Sequence, residues 1–264
     1  MKFAFCLEML YTELPFIERL AAAKKDGIEA IEIWDWRDKD SSALLQQMQR
    51  LNISLSNMSG NRRFGMIDPD GRTCFLQELA EAAAFAAGLG CSSLMLLVES
   101  LDEDGGAIPI STPLTDREKV EQIIAYGLEV SKLAEKLHLQ IVIEPLNSVL
   151  DHPRFFLDSS HLVFQIIREI NHPRVKVLYD IYHMAMMEEH ILRDIEDNFD
   201  CIGYFHIADK PGRHEPGSGT IDFKSIWSLL KTLQYEGVIG FEFYPSSGNS
   251  HRAVRKIMDF ITYL

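Results

Sequence analysis

The chain has 264 residues, of which 47% are hydrophobic and 25% charged, and its formal net charge is −13. This length and composition are typical of one globular domain with a sizeable core. The acidic charge, with no basic run longer than Arg62-Arg63, argues against nucleic acid or an anionic membrane as a partner. No apolar run reaches the roughly 18 residues of a transmembrane helix. The four cysteines are scattered without a CxxC pair, which is typical of reduced thiols in a cytoplasmic protein.

Strand and helix patterns alternate along the whole chain. Short apolar runs predict eight strands, at Lys2–Glu8, Ala30–Trp34, Ile53–Asn57, Ser93–Val98, Gln140–Ile143, Val175–Leu178, Ile202–Phe205 and Val238–Phe241. Helical periodicity predicts helices at Leu14–Lys25, Ser41–Leu51, Arg72–Leu89, Thr115–Leu137, Ser159–Ile170, near Met187–Asn198, at Phe223–Gln234 and about Asn249–Tyr263. With no linker between these units, we predict an α/β fold, a single (β/α)8 TIM barrel over residues 1–264. An open doubly wound sheet is the alternative, weakened because no GxGxxG follows the first strand.

Two long polar segments interrupt this alternation. Residues Met58–Asp70 and Glu99–Pro113 are longer than ordinary βα loops, and long loops in compact domains are often functional. The Gly, Asn and Asp content of the first segment predicts a mobile lid. The turn His152-Pro153-Arg154 is assigned no function.

Four successive strands in the second half end in a side chain that can bind metal or move protons. These side chains are Glu144, Asp180, His206 and Glu242. In a parallel barrel the C-terminal ends of all strands meet at one mouth, so we expect the four side chains to lie together. An oxygen-rich set of this kind favours a divalent ion such as Mg²⁺ or Mn²⁺. A metal would stabilise an enediolate, and two facing carboxylates would remove and return a proton.

The motifs at these strand ends together carry a family resemblance. They are Ile143-Glu144-Pro145-Leu146-Asn147, Tyr179-Asp180-Ile181-Tyr182-His183, His206-Ile207-Ala208-Asp209, Arg213-His214-Glu215-Pro216-Gly217 and Gly240-Phe241-Glu242-Phe243. In combination the chain resembles the hydroxypyruvate isomerase family of the xylose isomerase-like barrel superfamily, over nearly its whole length. That superfamily also holds ketose 3-epimerases, sugar-acid dehydratases and a DNA-repair endonuclease branch.

The resemblance implies a role for each matching residue. Glu144 and Glu242 would be the acid/base pair, and both would join Asp180 and His206 around a divalent metal where one is bound. His183 and Arg213 would contact substrate oxygens. Asn147 and Arg62 complete the set of predicted substrate-binding residues.

The early strand ends depart from the family pattern, which leaves the substrate open. Cys6 stands where the family usually has Asn, Trp34-Asp35-Trp36 replaces a Phe-Pro-Tyr-like segment, and Arg62-Arg63 occupies the next loop. Arginine can pair with a carboxylate through two hydrogen bonds, so the arginines near the predicted site favour an acid substrate. Arg213 is the first candidate for this contact and Arg62 the second. We expect an isomerase that converts hydroxypyruvate to tartronate semialdehyde, or a related 2-oxo sugar acid.

Several alternatives use the same fold. A ketose 3-epimerase is the nearest, followed by a dehydratase of a sugar acid or polyol on the same residues. An endonuclease would need a basic face, and a non-catalytic sugar-binding barrel would not need both glutamates. A homo-oligomer is left open.

Overall fold

The computed structural model describes residues 1–187 and 190–262, and within them eight parallel strands form a closed barrel. Each strand pairs with the next in chain order, and the eighth pairs with the first. The strands are β1 Lys2–Cys6, β2 Ala30–Ile33, β3 Ser54–Ser59, β4 Ser93–Leu96, β5 Gln140–Ile143, β6 Val175–Asp180, β7 Ile202–Ile207 and β8 Val238–Phe241. The predicted (β/α)8 barrel is confirmed, with strand ends shifted by one or two residues.

Helices cover the outside of the barrel and pack on the strands through their apolar faces. They are α1 Phe16–Lys25, α2 Ser41–Leu51, α3 Arg72–Gly88, α4 Asp116–Leu137, α5 Ser160–Ile170, α6 Ile181–Met187, α7 Ile191–Asp197, α8 Phe223–Thr232 and α9 Ser250–Thr262. Helix α4 begins with a complete capping box between Thr115 and Glu118, which satisfies two amides of its first turn. No helix in the described part of the chain is long and apolar enough to cross a membrane.

One helix differs from the sequence prediction. A single helix was expected near Met187–Asn198, whereas α6 begins directly after β6 and α7 follows as a separate helix; residues 188 and 189 lie outside the described residues. The Asp180 carboxylate accepts hydrogen bonds from the backbone amides of Tyr182 and His183, at 2.7 and 3.1 Å. This capping starts a helix with no loop after the strand.

The alternation of side chains along the strands aims the predicted site residues into the barrel. A small cluster of buried residues comprises Met95, Val142, Leu178 and Tyr204, separate from the large core between strands and helices. Because side chains two positions apart share a face, the residues that follow Val142, Leu178 and Tyr204 by two point the same way. Those residues are Glu144, Asp180 and His206, so the site lies on top of the packed interior at the C-terminal mouth.

Candidate active site

Three of the predicted strand-end carboxylates meet at the mouth with one imidazole. Glu144, Asp180, His183 and Glu242 each offer one ligand atom, and these atoms all lie within 4.8 Å of one another. All four side chains are buried, the most exposed being Glu242 at 4%. His206 contacts the same group, since its Nδ1 lies 3.2 Å from Glu144 Oε1 and 3.7 Å from Glu242 Oε2.

Glu242 is held as a carboxylate anion by two donors. Trp34 Nε1 donates to Oε1 at 2.6 Å, and the Arg213 guanidinium pairs with Oε2. Burial alone would raise the pKa of Glu242, but Arg213, His206 and the Trp34 hydrogen bond lower it to about 2. Glu242 is therefore ionised at neutral pH.

The pKa of Glu144 is shifted in the opposite direction from that of Glu242, although the two side chains lie at the same mouth. Burial raises the pKa of Glu144 to about 7, against the lowering effect of His206. When the pKa values of two neighbouring carboxyl groups differ in this way, the ionised one, here Glu242, can accept a proton and the other, here Glu144, can donate one. The environment of the mouth thus distinguishes two glutamates that the sequence left equivalent.

Asp180 keeps one oxygen free in the centre of the group. Its Oδ1 accepts the two amides at the start of α6, whereas its buried Oδ2 has no hydrogen-bond partner among the described residues. Burial raises the pKa of Asp180 to about 6, and Arg213 and His206 oppose the rise. The nearest ion-pair partner of Oδ2 is His183 Nε2 at 3.7 Å, beyond hydrogen-bond distance. A buried carboxylate oxygen without a hydrogen bond is costly and suits contact with a cation.

His183 is fixed in one tautomer by Asn147. The Asn147 amide oxygen accepts from the backbone amides of Leu150 and Asp151, so its amide nitrogen is the group that faces His183 Nδ1 at 2.7 Å. The Asn147 backbone amide also donates to this Nδ1 at 3.3 Å. Burial lowers the pKa of His183 well below its usual value, so the ring is neutral and carries one proton. Because Nδ1 accepts hydrogen bonds, this proton is on Nε2.

This tautomer decides what His183 can do. Its buried Nε2 has no hydrogen-bond partner in the described structure, and as an N–H it can donate to a substrate oxygen but cannot ligate a metal. Asn147 is fully buried behind it, with its amide nitrogen also on Asp151 at 2.6 Å. Asn147 therefore orients His183, which differs from the direct substrate contact that the sequence predicted.

His206 is oriented by a glutamate that the sequence analysis did not single out. Its Nε2 lies 3.3 Å from Oε2 of the buried Glu32 on β2, in ion-pair contact although not aligned as a hydrogen bond. The Glu32 Oε1 accepts the hydroxyl of Tyr204. Burial opposes ionisation of His206, but Glu32, Glu242 and Glu144 raise its pKa well above the usual value. The Nδ1 atom consequently faces the carboxylates of the mouth.

The donor set fits a divalent cation. Glu144, Asp180 and Glu242 supply carboxylate oxygens. His183 completes this group by distance, but its protonated Nε2 cannot ligate, so the imidazole nitrogen is supplied by His206 Nδ1, which lies 3.2 Å from Glu144 Oε1 and is backed by Glu32. An imidazole held by an outer carboxylate is the usual arrangement around protein metals. Without a metal, the His206 imidazolium partly neutralises the surrounding carboxylates.

A cavity of about 480 Å³ opens above these residues. The catalytic candidates Glu144 and Glu242 form its floor, and Trp34, Arg62, His152 and Tyr244 contribute to its walls. Its rim is acidic, because it is lined by Asp102, Glu103, Asp104 and Asp151. The volume is within the usual range for small-molecule sites.

The two arginines predicted to read a substrate carboxylate differ in their surroundings. Arg213 is 8% exposed and already paired with Glu242, whereas the Arg62 guanidinium has no ion pair within the described residues. Arg62 lies 5.8 Å from the ring centre of Trp34. Of the other arginines in the early loops, Arg72 bonds Glu129 on α4. Of the two arginines that line the cavity, Arg62 is therefore the one without an ion pair among the described residues.

The loop that carries Arg62 is anchored, which does not agree with the predicted mobile lid. The buried Glu78 of α3 accepts the backbone amides of Arg62, Arg63 and Phe64, at 2.9, 3.1 and 3.1 Å. Asn61 bonds Leu97 through both its amide nitrogen and its amide oxygen, at 2.9 and 3.0 Å. The backbone of residues 61–64 is thus fixed by buried polar side chains, whereas the Arg62 side chain lines the cavity.

The profile of the xylose isomerase-like TIM barrel family matches residues 20–264. The chain belongs to that family. Among curated relatives of this barrel, a putative hydroxypyruvate isomerase of Danio rerio is 29% identical over 255 residues, covering 93% of this chain and 90% of that protein. Hydroxypyruvate isomerase of Escherichia coli is 27% identical, with 94% and 95% covered. A 2-oxo-tetronate isomerase of Pectobacterium atrosepticum is 25% identical, with 92% of both covered.

Solved structures of this xylose isomerase-like fold extend over the whole barrel. An AP endonuclease, family 2 from Brucella melitensis has a TM-score of 0.86 at 21% identity, with 98% of both chains covered. D-allulose 3-epimerase from Methylomonas sp., in complex with D-allulose, has a TM-score of 0.83 at 19% identity, with 100% and 96% covered. At these identities the likeness concerns the fold alone.

Most of the residues at the mouth of this family member were predicted from its sequence, but some were not. The structure brings together Glu144, Asp180, His206, Glu242, His183 and Arg213, and it places Arg62 on the wall. Glu32 and His152 were not singled out from the sequence, and Trp34 was noted there only as a departure from the family pattern. Their only sequence signal was position: Glu32 and Trp34 stand at the end of the second strand, as Glu144 stands at the end of the fifth.

Proposed function

We propose that this protein is an isomerase that interconverts a small hydroxy-oxo acid and its isomer by proton transfer through an enediolate. The observation that carries the proposal is the pair Glu144 and Glu242, both buried at one barrel mouth and both in contact with His206 Nδ1, at 3.2 and 3.7 Å. The names of the curated relatives, hydroxypyruvate isomerase and 2-oxo-tetronate isomerase, support the same reaction class.

Each glutamate has a role set by its surroundings. Glu242, ionised beside Arg213 and Trp34, takes the proton from the hydroxyl-bearing carbon. Glu144 holds the proton that returns to the neighbouring carbon, while the hydroxyl proton passes to the former carbonyl oxygen. No atom is gained or lost overall, and the roles exchange in the reverse direction. His183 Nε2–H donates to a substrate oxygen and thereby orients the reacting carbons.

A divalent ion is proposed at the same place. Glu144, Asp180, Glu242 and His206 Nδ1 would hold it, with Glu32 orienting His206. When bound, such an ion supplies Lewis-acid stabilisation of negative charge on substrate oxygens. Mg²⁺ or Mn²⁺ suits the oxygen-rich set.

For the substrate we propose hydroxypyruvate or a related 2-oxo sugar acid, with Arg62 pairing the carboxylate. Arg213 was the first choice from sequence, but its guanidinium already neutralises Glu242. Arg62 lines the cavity without an ion pair in the described part of the chain, and its loop is anchored by Glu78. A preplaced arginine recognises a carboxylate at little entropic cost.

A ketose 3-epimerase is the second candidate, because the cavity rim is acidic. Asp102, Glu103, Asp104 and Asp151 line the entrance, and negative charge there disfavours an anionic substrate relative to a neutral sugar. An epimerase would use the same two glutamates to remove and return a proton on one carbon.

The test is turnover with isotope detection in deuterated water. We expect hydroxypyruvate or 2-oxo-tetronate to isomerise with incorporation of one carbon-bound deuterium, and ketoses to react much more slowly. Glu144→Gln and Glu242→Gln should each lower kcat by roughly 10² to 10⁴, the usual contribution of a positioned acid or base. Turnover of ketoses alone would establish the epimerase instead. Wild-type rates in either variant would remove that glutamate from the mechanism.

A further inference from the structure

The turn that follows β5 places a second imidazole, His152, in the wall of the cavity. Its ring centre lies 5.2 Å from that of His183, with an interplanar angle of 54°. Nothing in the proposed proton transfer uses His152, and no role was assigned to it from the sequence. The position is nevertheless next to the group that orients the reacting carbons.

One nitrogen of His152 is committed to the protein. Its Nδ1 lies 2.9 Å from the carbonyl oxygen of Gly105. A carbonyl oxygen only accepts, so the Nδ1 atom must carry a proton and donate it. Burial lowers the pKa of His152, and the positive charge of Arg213 contributes to the lowering, so the ring is neutral.

The other nitrogen is left for a ligand. In a neutral ring protonated on Nδ1, the Nε2 atom carries a lone pair and accepts hydrogen bonds. The half-buried ring of His152 lines the cavity, and no hydrogen bond reaches its Nε2 from any residue that the structure describes. His183 has the opposite arrangement, because Asn147 donates to its Nδ1 and its Nε2 is the donor. The two neighbouring rings therefore offer one donor and one acceptor.

A purely structural role for His152 is the competing explanation. Its turn does hold the loop of Gly105, but other contacts do so as well. Arg154 Nη2 donates to the Ala107 carbonyl at 3.0 Å, and the Ala107 amide donates to the Pro153 carbonyl at 2.9 Å. Loop anchoring is thus shared by three contacts, whereas the free acceptor on the cavity wall belongs to His152.

We propose that His152 Nε2 accepts a hydrogen bond from a substrate hydroxyl beyond the reacting carbons, so that the site favours a hydroxylated four-carbon acid over a three-carbon one. The proposal rests on the proposed function and refines its substrate class. A hydroxyl can donate to this acceptor, whereas an alkyl group in its place displaces water from Nε2 and leaves the atom without a hydrogen bond. The chemistry corresponds to a 2-oxo-tetronate rather than to hydroxypyruvate.

The test is calorimetric binding of two unreactive acids, erythronate and its 4-deoxy counterpart, to the intact protein in Mg²⁺ buffer. We expect the wild type to bind erythronate about tenfold more tightly, the usual size of one neutral hydrogen bond. His152→Asn keeps an N–H near the Gly105 carbonyl but lacks the distal acceptor, and it should remove this preference without weakening the deoxy acid. His152→Gln, whose amide oxygen reaches further, should restore part of the preference.

Three results would overturn the assignment of His152. They are equal affinity of the wild type for the two acids, binding of neither acid, and an equal loss for both acids in His152→Asn. The last would mean that His152 only anchors the loop, and melting temperatures of both variants check the fold. Because the acids are unreactive, hydroxyl recognition that survives in a protein without isomerase turnover would reject the proposed function and keep the proposed contact.

Discussion

Replacing Glu32 tests whether a residue outside the mouth controls the proposed metal. The Glu32 carboxylate, 3% exposed, lies between His206 Nε2 at 3.3 Å and the hydroxyl of Tyr204. Gly240 leaves room for it, since a Cβ there would collide with both carboxylate oxygens. Glu32→Gln keeps the shape of the side chain but removes the charge that turns His206 Nδ1 towards the mouth.

The expected loss follows from the position of Glu32. Removal of an outer carboxylate from a metal-bound imidazole typically costs 10- to 100-fold in metal affinity, or about 1.4 to 2.7 kcal/mol. The value should fall in the upper half of this range, because the site is dry and screening is weak. Calorimetric titration of EDTA-treated protein with Mn²⁺ measures it directly, independently of turnover.

Tyr204→Phe provides the matched control. It removes the hydroxyl from Glu32 Oε1 and leaves the charge beside His206, so we expect less than about a threefold change in Mn²⁺ affinity. If Glu32→Gln binds Mn²⁺ as tightly as the wild type while keeping its fold, Glu32 does not orient a metal ligand. Failure of the wild type to bind Mn²⁺ or Mg²⁺ at all would refute the metal site itself.

Three further predictions concern charge and loop anchoring. In the metal-free protein, burial raises the pKa of Glu144 from 4.5 to about 7 and that of Asp180 from 3.8 to about 6, so stability is lost as these groups ionise. The melting temperature should therefore fall between about pH 4 and 7, less so in Glu144→Gln, and a rise over this range would contradict the assignment. Arg213→Ala should lower kcat/KM for acids and ketoses alike, because it leaves the Glu242 carboxylate without its counter-charge. Arg62→Ala should lower kcat/KM for acids by about tenfold or more and that for ketoses little. The reverse pattern would show that Arg213 makes the contact with the substrate carboxylate. Glu78→Ala should lower the free energy of unfolding in urea by about 2 to 4 kcal/mol, because three loop amides lose their hydrogen-bond acceptor. A loss below about 0.5 kcal/mol would show that the loop does not depend on Glu78.

The fold and the strand-end chemistry followed from local patterns in the sequence. Buried parallel strands are continuous apolar runs, and Pro145 ends one of them directly after Glu144. Eight such runs, separated by the length of strand–helix units, are compatible with few folds other than a barrel. In a barrel the C-terminal ends of all strands meet at one mouth. Helix α6 was missed because its cap, Asp180, is also the last residue of a strand.

The roles within the mouth depended on contacts between distant parts of the chain. Trp34 and Arg213 make Glu242 an anion, and Asn147 selects the tautomer of His183. Because Arg213 is paired, Arg62 is the cavity-lining arginine without an ion pair in the described part of the chain. Trp34 and Glu242 are 208 positions apart in sequence. The type of each side chain and its place at a strand end are local properties, which can be read from the sequence. Charge, tautomer and pairing depend on burial and on neighbours across the barrel, so they are established only in the folded protein.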